Sequence, residues 1–175
     1  MKLRMKLSES FLTSAFDRAN PPALDRTKRV GTLSLKALRA LTEPYLGGFD
    51  GPRGQVAQGL LFLWHDHWEE AHQIAQSDEG EADHDLLHAI VHRKENDFAN
   101  SSYWFREAGH NPAFKLVEIR TTNLLVESAM RESILPGAKW SSAGFLTAVK
   151  KGKPEPLLRA LQAEEIIAFF ETLVS

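Results

Sequence analysis

Apolar positions along this chain recur at three- and four-residue intervals, and no segment shows sustained alternation with polar ones carried by β-branched residues. That period marks helices that bury one face. Phe11, Leu12, Ala15 and Phe16 predict a first helix over 8–18, with Ser8 placed to cap it and Asn20-Pro21-Pro22 to stop it. Leu33, Leu35, Leu38, Leu41 and Leu46 predict a second, closing near Pro44 or at Gly47-Gly48, and 47–54 reads as a loop. In 55–76 there is no proline and one internal glycine, Gly59, while Leu60, Leu63, Trp64, Trp68, Ala71 and Ala75 form one broad stripe. A single long helix is expected there.

An acidic connection over 77–83 leads, with Asp83 as the expected cap, into a helix over 85–94. Asp97 is placed to cap the next, over 98–108, which Gly109-His110-Asn111-Pro112 ends. Helical spacing then resumes over 117–134, is interrupted at Pro136-Gly137, and returns over 141–150 and 156–173. The expected fold is all-α, a single compact domain over 1–175 built as an array of about seven or eight helices.

Composition narrows the function classes. With 21 Lys plus Arg against 23 Asp plus Glu the formal charge is −2, so no basic field exists to attract nucleic acid or anionic lipid. The positive charges near Met1 are not followed by the apolar core of a signal peptide, and the longest apolar run near the middle, 60–64, is far short of a membrane span. The cytoplasm is the default expectation. There is no cysteine, so disulfides, thiolate nucleophiles and thiolate-bound metals are all excluded. Any metal must sit on His, Asp or Glu.

All seven histidines, His65, His67, His72, His84, His88, His92 and His110, lie between positions 65 and 110. On a continuous helix, at about 100° per residue, His65, Glu69, His72 and Gln76 share one edge. His88 and His92 stand one turn apart on the next helix, opposite Leu86, Leu87, Ile90 and Val91. A short polar linker makes the two helices antiparallel, so the stripes meet, with His72 level with the 87–92 segment. The result expected is one polar pocket lined by His65, His72, His88 and His92, with Arg93 and Trp104 beside it. Within it Glu69, His72, His88 and His92 have the residue types and spacings of a metal site in a helix bundle, where Glu-x-x-His pairs recur. Asp85, Gln76 and Glu95 are available to orient the imidazoles. His84 and His110 read as loop residues and His67 as a packing residue. Arg93 is expected in a salt bridge with the acids Glu95 and Asp97 that follow it, or on an anion.

The run His88-Ala89-Ile90-Val91-His92-Arg93-Lys94-Glu95-Asn96-Asp97, continuing to Tyr103-Trp104-Phe105-Arg106, resembles an uncharacterised family of bacterial and fungal proteins. That family carries an H-A-I-x-H-R-R-E-x-D segment before an N-A-x-Y-W-F-R run; Lys94 and Ser101 stand here where it has Arg and Ala. The resemblance extends over about residues 50 to 170 and implies a fold and a site location without a reaction. The same segment is similar to a tetratricopeptide or Sel1-like hairpin, on Ala89, Asp97, Phe98, Phe105, Ala108 and Pro112. Only one such unit is visible, too few for a solenoid.

Two functions remain open. One is a binding or interaction domain whose histidine-rich pocket takes a small polar ligand or a partner segment. The other is a metal-dependent enzyme, hydrolytic or oxygen-using, with Zn, Fe, Mn or Ni as the candidate ion. Phosphate loops, the Gly-x-Ser-x-Gly elbow and the His-Glu-x-x-His zinc motif are all missing from the sequence.

Overall fold

Ser8 opens the first helix as its position suggests: its hydroxyl accepts the amide of Phe11 at 3.1 Å, and α1 runs over Glu9–Ala15. The computed structural model describes residues 8–43 and 51–175, so the opening charges, the end of the second predicted helix and positions 47–50 of the predicted loop lie outside the described residues, while Pro52, expected in that loop, already opens a helix. The described residues contain ten α-helices and no strand. The all-α expectation holds, and the count of seven or eight is low.

The extra helices come from two breaks. The stretch expected as one helix over 55–76 is two, α3 over Pro52–Trp64 and α4 over Trp68–Gln76, after α2 over Leu35–Thr42. Between them Asp66 takes a left-handed backbone, φ 65°, which a helix cannot continue through. Its carboxylate accepts the Arg29 amide at 2.9 Å and the Arg29 Nε at 3.1 Å, and both side chains are buried. A contact from a distant loop therefore fixes the break. The second break falls in the 117–134 stretch. Helix α7, Ala113–Thr122, ends where Thr121 and Thr122 turn their hydroxyls back on the carbonyls of Val117 and Glu118, a competition that weakens a helix. A 3-10 turn at Asn123–Leu125 and the short α8, Arg131–Ile134, follow.

Helix α5, Ala82–Lys94, is capped by Glu81, which accepts from the amides of Asp83 and His84; Asp83 lies inside the first turn and is not the cap. Asp97 does cap α6, Phe98–Glu107, accepting from Asn100. The joint between α5 and α6 copies that between α3 and α4 thirty positions earlier. In each, a non-glycine residue has a left-handed backbone, Asp66 or Asn96, and the next amide, His67 or Asp97, reaches back to the carbonyl of Phe62 or His92. Four consecutive helices thus form two hairpins with one kind of hinge, α4 packing on α5 between them.

Helix α9, Ser142–Lys151, is capped by Ser141, and α10, Glu155–Val174, is the longest. Leu158, Leu161, Ile166, Phe169 and Phe170 bury α10 between α3 and α7. One apolar cluster joins α1, α3, α4, α5 and the end of α10; a second lies under α7, α8 and α9. No helix among the described residues is long and apolar enough to cross a membrane.

Candidate metal centre

The α4–α5 hairpin sets its own register. Its connection turns at Gly80, φ 94°, whose amide donates to the Asp85 carboxylate at 3.0 Å. Helix α5 then returns alongside α4, and His72 meets His88, with Nε2 to Nε2 at 2.9 Å. His92, one turn further along α5, stacks on His88 with ring centroids 4.6 Å apart and stands edge-on to His72 at 5.0 Å. The three offer ligand nitrogens that all lie within 4.8 Å of one another, the one such group among the described residues. They lie close enough to hold a metal ion.

Trp104 on α6 lies over the far face of His88, centroids 4.3 Å apart and planes 24° apart. It walls the cluster on one side. The side chains of His88 and His92 are 2% and 11% exposed, while His72 is 23% exposed and marks the open edge.

Carboxylates stand behind the rings. Glu95, the C-cap of α5, places Oε1 3.5 Å from His72 Nδ1 and Oε2 3.1 Å from His92 Nδ1, the latter off the line of a hydrogen bond. Glu79 lies 3.9 Å from His88 Nδ1. Arg26, from the loop before α2, reaches Glu95 at 3.8 Å.

Burial favours the neutral form of His88 and His72. It pushes the His88 imidazolium down to about 3, helped by the neighbouring His92 and His72. His72 is lowered too, mainly by burial and also by His92 and Arg26, against the pull of Glu95. Neutral imidazole is the form that ligates metals.

The other expected pocket residues lie elsewhere. His65 ends α3, so it does not share a helix face with His72. Its Nδ1 accepts the Leu33 amide at 3.1 Å, and Nε2 therefore carries the proton and donates to the Ala15 carbonyl at 3.0 Å. Burial drives its pKa down to about 4, and its role is to tie α1 and the segment before α2 to α3. Glu69 is largely exposed and pairs with Arg26 instead of joining the histidines. Arg93 points into the core, where Glu165 of α10 takes both arms of its guanidinium; its expected partners Glu95 and Asp97 are not the ones it uses. It makes no contact with the histidine cluster in these hydrogen bonds or ion pairs.

His67 does serve packing, donating to the Leu33 carbonyl at 2.8 Å, and His110 is an exposed loop residue. His84, expected in a loop, is fully buried inside α5 beside Glu81. Asp85 bonds Gly80 and Gln76 is exposed, so of the three residues expected to orient the rings only Glu95 stands at them. Glu95 is the residue whose weight the sequence underplays. The signal was its place three residues after His92, on the same helix face.

Comparison of the chain with protein-family models, with curated proteins and with solved structures gives no match.

Proposed function

We propose that this protein binds one divalent transition-metal ion on His72, His88 and His92, and that the ion's remaining coordination position takes water or a small polar ligand. The observation that carries this reading is the convergence of three buried or half-buried imidazoles from two helices, with ligand nitrogens within 4.8 Å of one another. Zn–N bonds of about 2.0–2.1 Å in a tetrahedron set the ligand nitrogens about 3.3 Å apart. The His72 and His88 nitrogens, at 2.9 Å, need to part by only a few tenths of an ångström.

A donor set of three imidazoles, with no thiolate and no carboxylate in contact with the ion, suits Zn or Ni, or Fe, better than Mn. Three protein ligands also leave a position open, as catalytic sites do and closed structural sites do not. An ion held there supplies Lewis acidity and lowers the pKa of a bound water, which makes hydrolysis the reaction class the site favours. The chain's own part is to hold the three rings in place, wall one side with Trp104 and leave the His72 edge accessible.

Elemental analysis and zinc titration of protein purified without an affinity tag test this reading. About one ion per chain, bound in competition with a chelator, is the expected result. Protein that takes up no Zn, Ni, Fe or Co at neutral pH defeats it.

A further inference from the structure

We propose that Glu95 is the positioning residue of this centre, a single carboxylate that fixes two of the three metal-binding imidazoles at once. The inference rests on the metal reading above. It starts from geometry: one oxygen of Glu95 faces the Nδ1 of His72 at 3.5 Å and the other faces the Nδ1 of His92 at 3.1 Å. These two rings come from different helices, α4 and α5, and no other acid faces both.

Neutral imidazole carries its proton on one nitrogen only. A carboxylate accepts and cannot donate, so it holds the proton on the nitrogen it faces and leaves the other nitrogen's lone pair for a metal. Glu95 is thus the acceptor nearest both Nδ1 atoms, and with a small turn of the His92 ring onto the line of a hydrogen bond it would favour the Nδ1–H tautomer in His72 and His92 together. In His72 the Nε2 edge is the one already turned to His88. Carboxylate behind histidine is how metal sites fix ring orientation and raise ligand basicity.

The position of Glu95 in the chain makes this arrangement reproducible. It is the C-cap of α5, held by amide bonds to the Val91 and His92 carbonyls at 3.1 Å, and the turn at Asn96 follows directly. Arg26 stands 3.8 Å behind its Oε1 and also holds Glu69, so the loop before α2 steadies the carboxylate from outside.

Glutamine in place of Glu95 keeps size and shape but offers one acceptor oxygen and one donor NH2. It can hold only one ring in the metal-ready tautomer; the ring facing the NH2 has to present a lone pair there and put its proton on the Nε2 edge. Glu95→Gln is therefore expected to lower zinc affinity about 10- to 100-fold and to change the visible absorption of the Co(II)-loaded protein, while stability in chelator stays as in wild type. Glu95→Ala removes both acceptor oxygens and should lower zinc affinity at least as much as Gln does.

Zinc titration with a competing chelator and Co(II) absorption spectra of wild type, Glu95→Gln and Glu95→Ala decide the matter. Wild type that binds while Glu95→Gln binds equally well, with the same Co(II) spectrum, overturns the role of Glu95 and leaves the metal site standing. Wild type that binds neither ion overturns the metal site itself. Should Glu95→Gln fail to fold, Glu95→Ala is read by the same measure, and zinc affinity and a Co(II) spectrum equal to wild type contradict the positioning role.

Discussion

Alanine at His88 or at His92 should abolish the stabilisation that metal confers, and do so far more completely than it lowers the stability of the chelated protein. A ligand that binds only the native state adds about 2.7 kcal/mol at a hundredfold excess over its Kd and about 4.1 kcal/mol at a thousandfold. Wild type is expected to gain an increment of that order when zinc is added in excess. Both variants should gain almost none, because the one imidazole left on each helix no longer surrounds the ion. Truncation has its own cost in chelator, since His88 is buried against Trp104 and its removal leaves a gap. For that reason the informative quantity is the difference between unfolding curves with and without zinc for each protein. An increment that survives His88→Ala unchanged contradicts the assignment of His88 as a ligand.

A comparable loss, unconnected with metal, is expected from breaking the buried pair between α5 and α10. Arg93 and Glu165 are almost wholly removed from solvent, and the guanidinium meets both carboxylate oxygens. Phe145 lies 4.8 Å under the guanidinium carbon and Phe105 5.9 Å from it. Nearby, Gln162 and Lys94 both donate to the Ala23 carbonyl, at 2.9 and 2.6 Å, which fastens the segment before α2 to the same place. Burial pushes the Lys94 ammonium down to about 7, a sign of how little water reaches this corner. Arg93→Met leaves Glu165 charged and alone in that environment, at an expected cost of about 3–5 kcal/mol. Arg93→Met combined with Glu165→Met should recover most of it, since an apolar pair of similar volume carries no desolvation penalty. Urea unfolding of the two single variants and the double variant measures this. A double variant as unstable as the sum of the singles would show that the pair is not coupled.

Arg93 also shows where sequence reasoning stops. Its neighbours Glu95 and Asp97 offered a local ion pair, but its partner lies 72 residues away, and only the docking of α10 brings the two together. The break at Asp66 has the same character. Apolar spacing runs without interruption from Leu60 to Ala75, and what ends the helix is Arg29, which binds the Asp66 carboxylate across 37 residues. Once the helix breaks, His65 leaves the stripe on which it shares an edge with His72, while Glu69 stays on α4 with His72 and pairs outward with Arg26. The pairing of His72 with His88 and His92 was legible because it depends on local quantities alone: a short linker, one turn between two histidines and the apolar faces opposite. The repeated hinge left a faint trace, the polar residues of 65–67 and 95–97 followed by Trp68 and Phe98 at the same offset. The left-handed backbone at Asp66 and Asn96 gives that offset its meaning.

X-ray absorption at the zinc edge of the loaded protein tests the centre most directly, because it reads the atoms bound to the ion. Three nitrogen neighbours at about 2.0–2.1 Å, with the outer-shell scattering of imidazole rings and one further light atom, is the predicted result. A shell made of oxygens, or one with fewer than two imidazoles, would contradict a centre built on His72, His88 and His92.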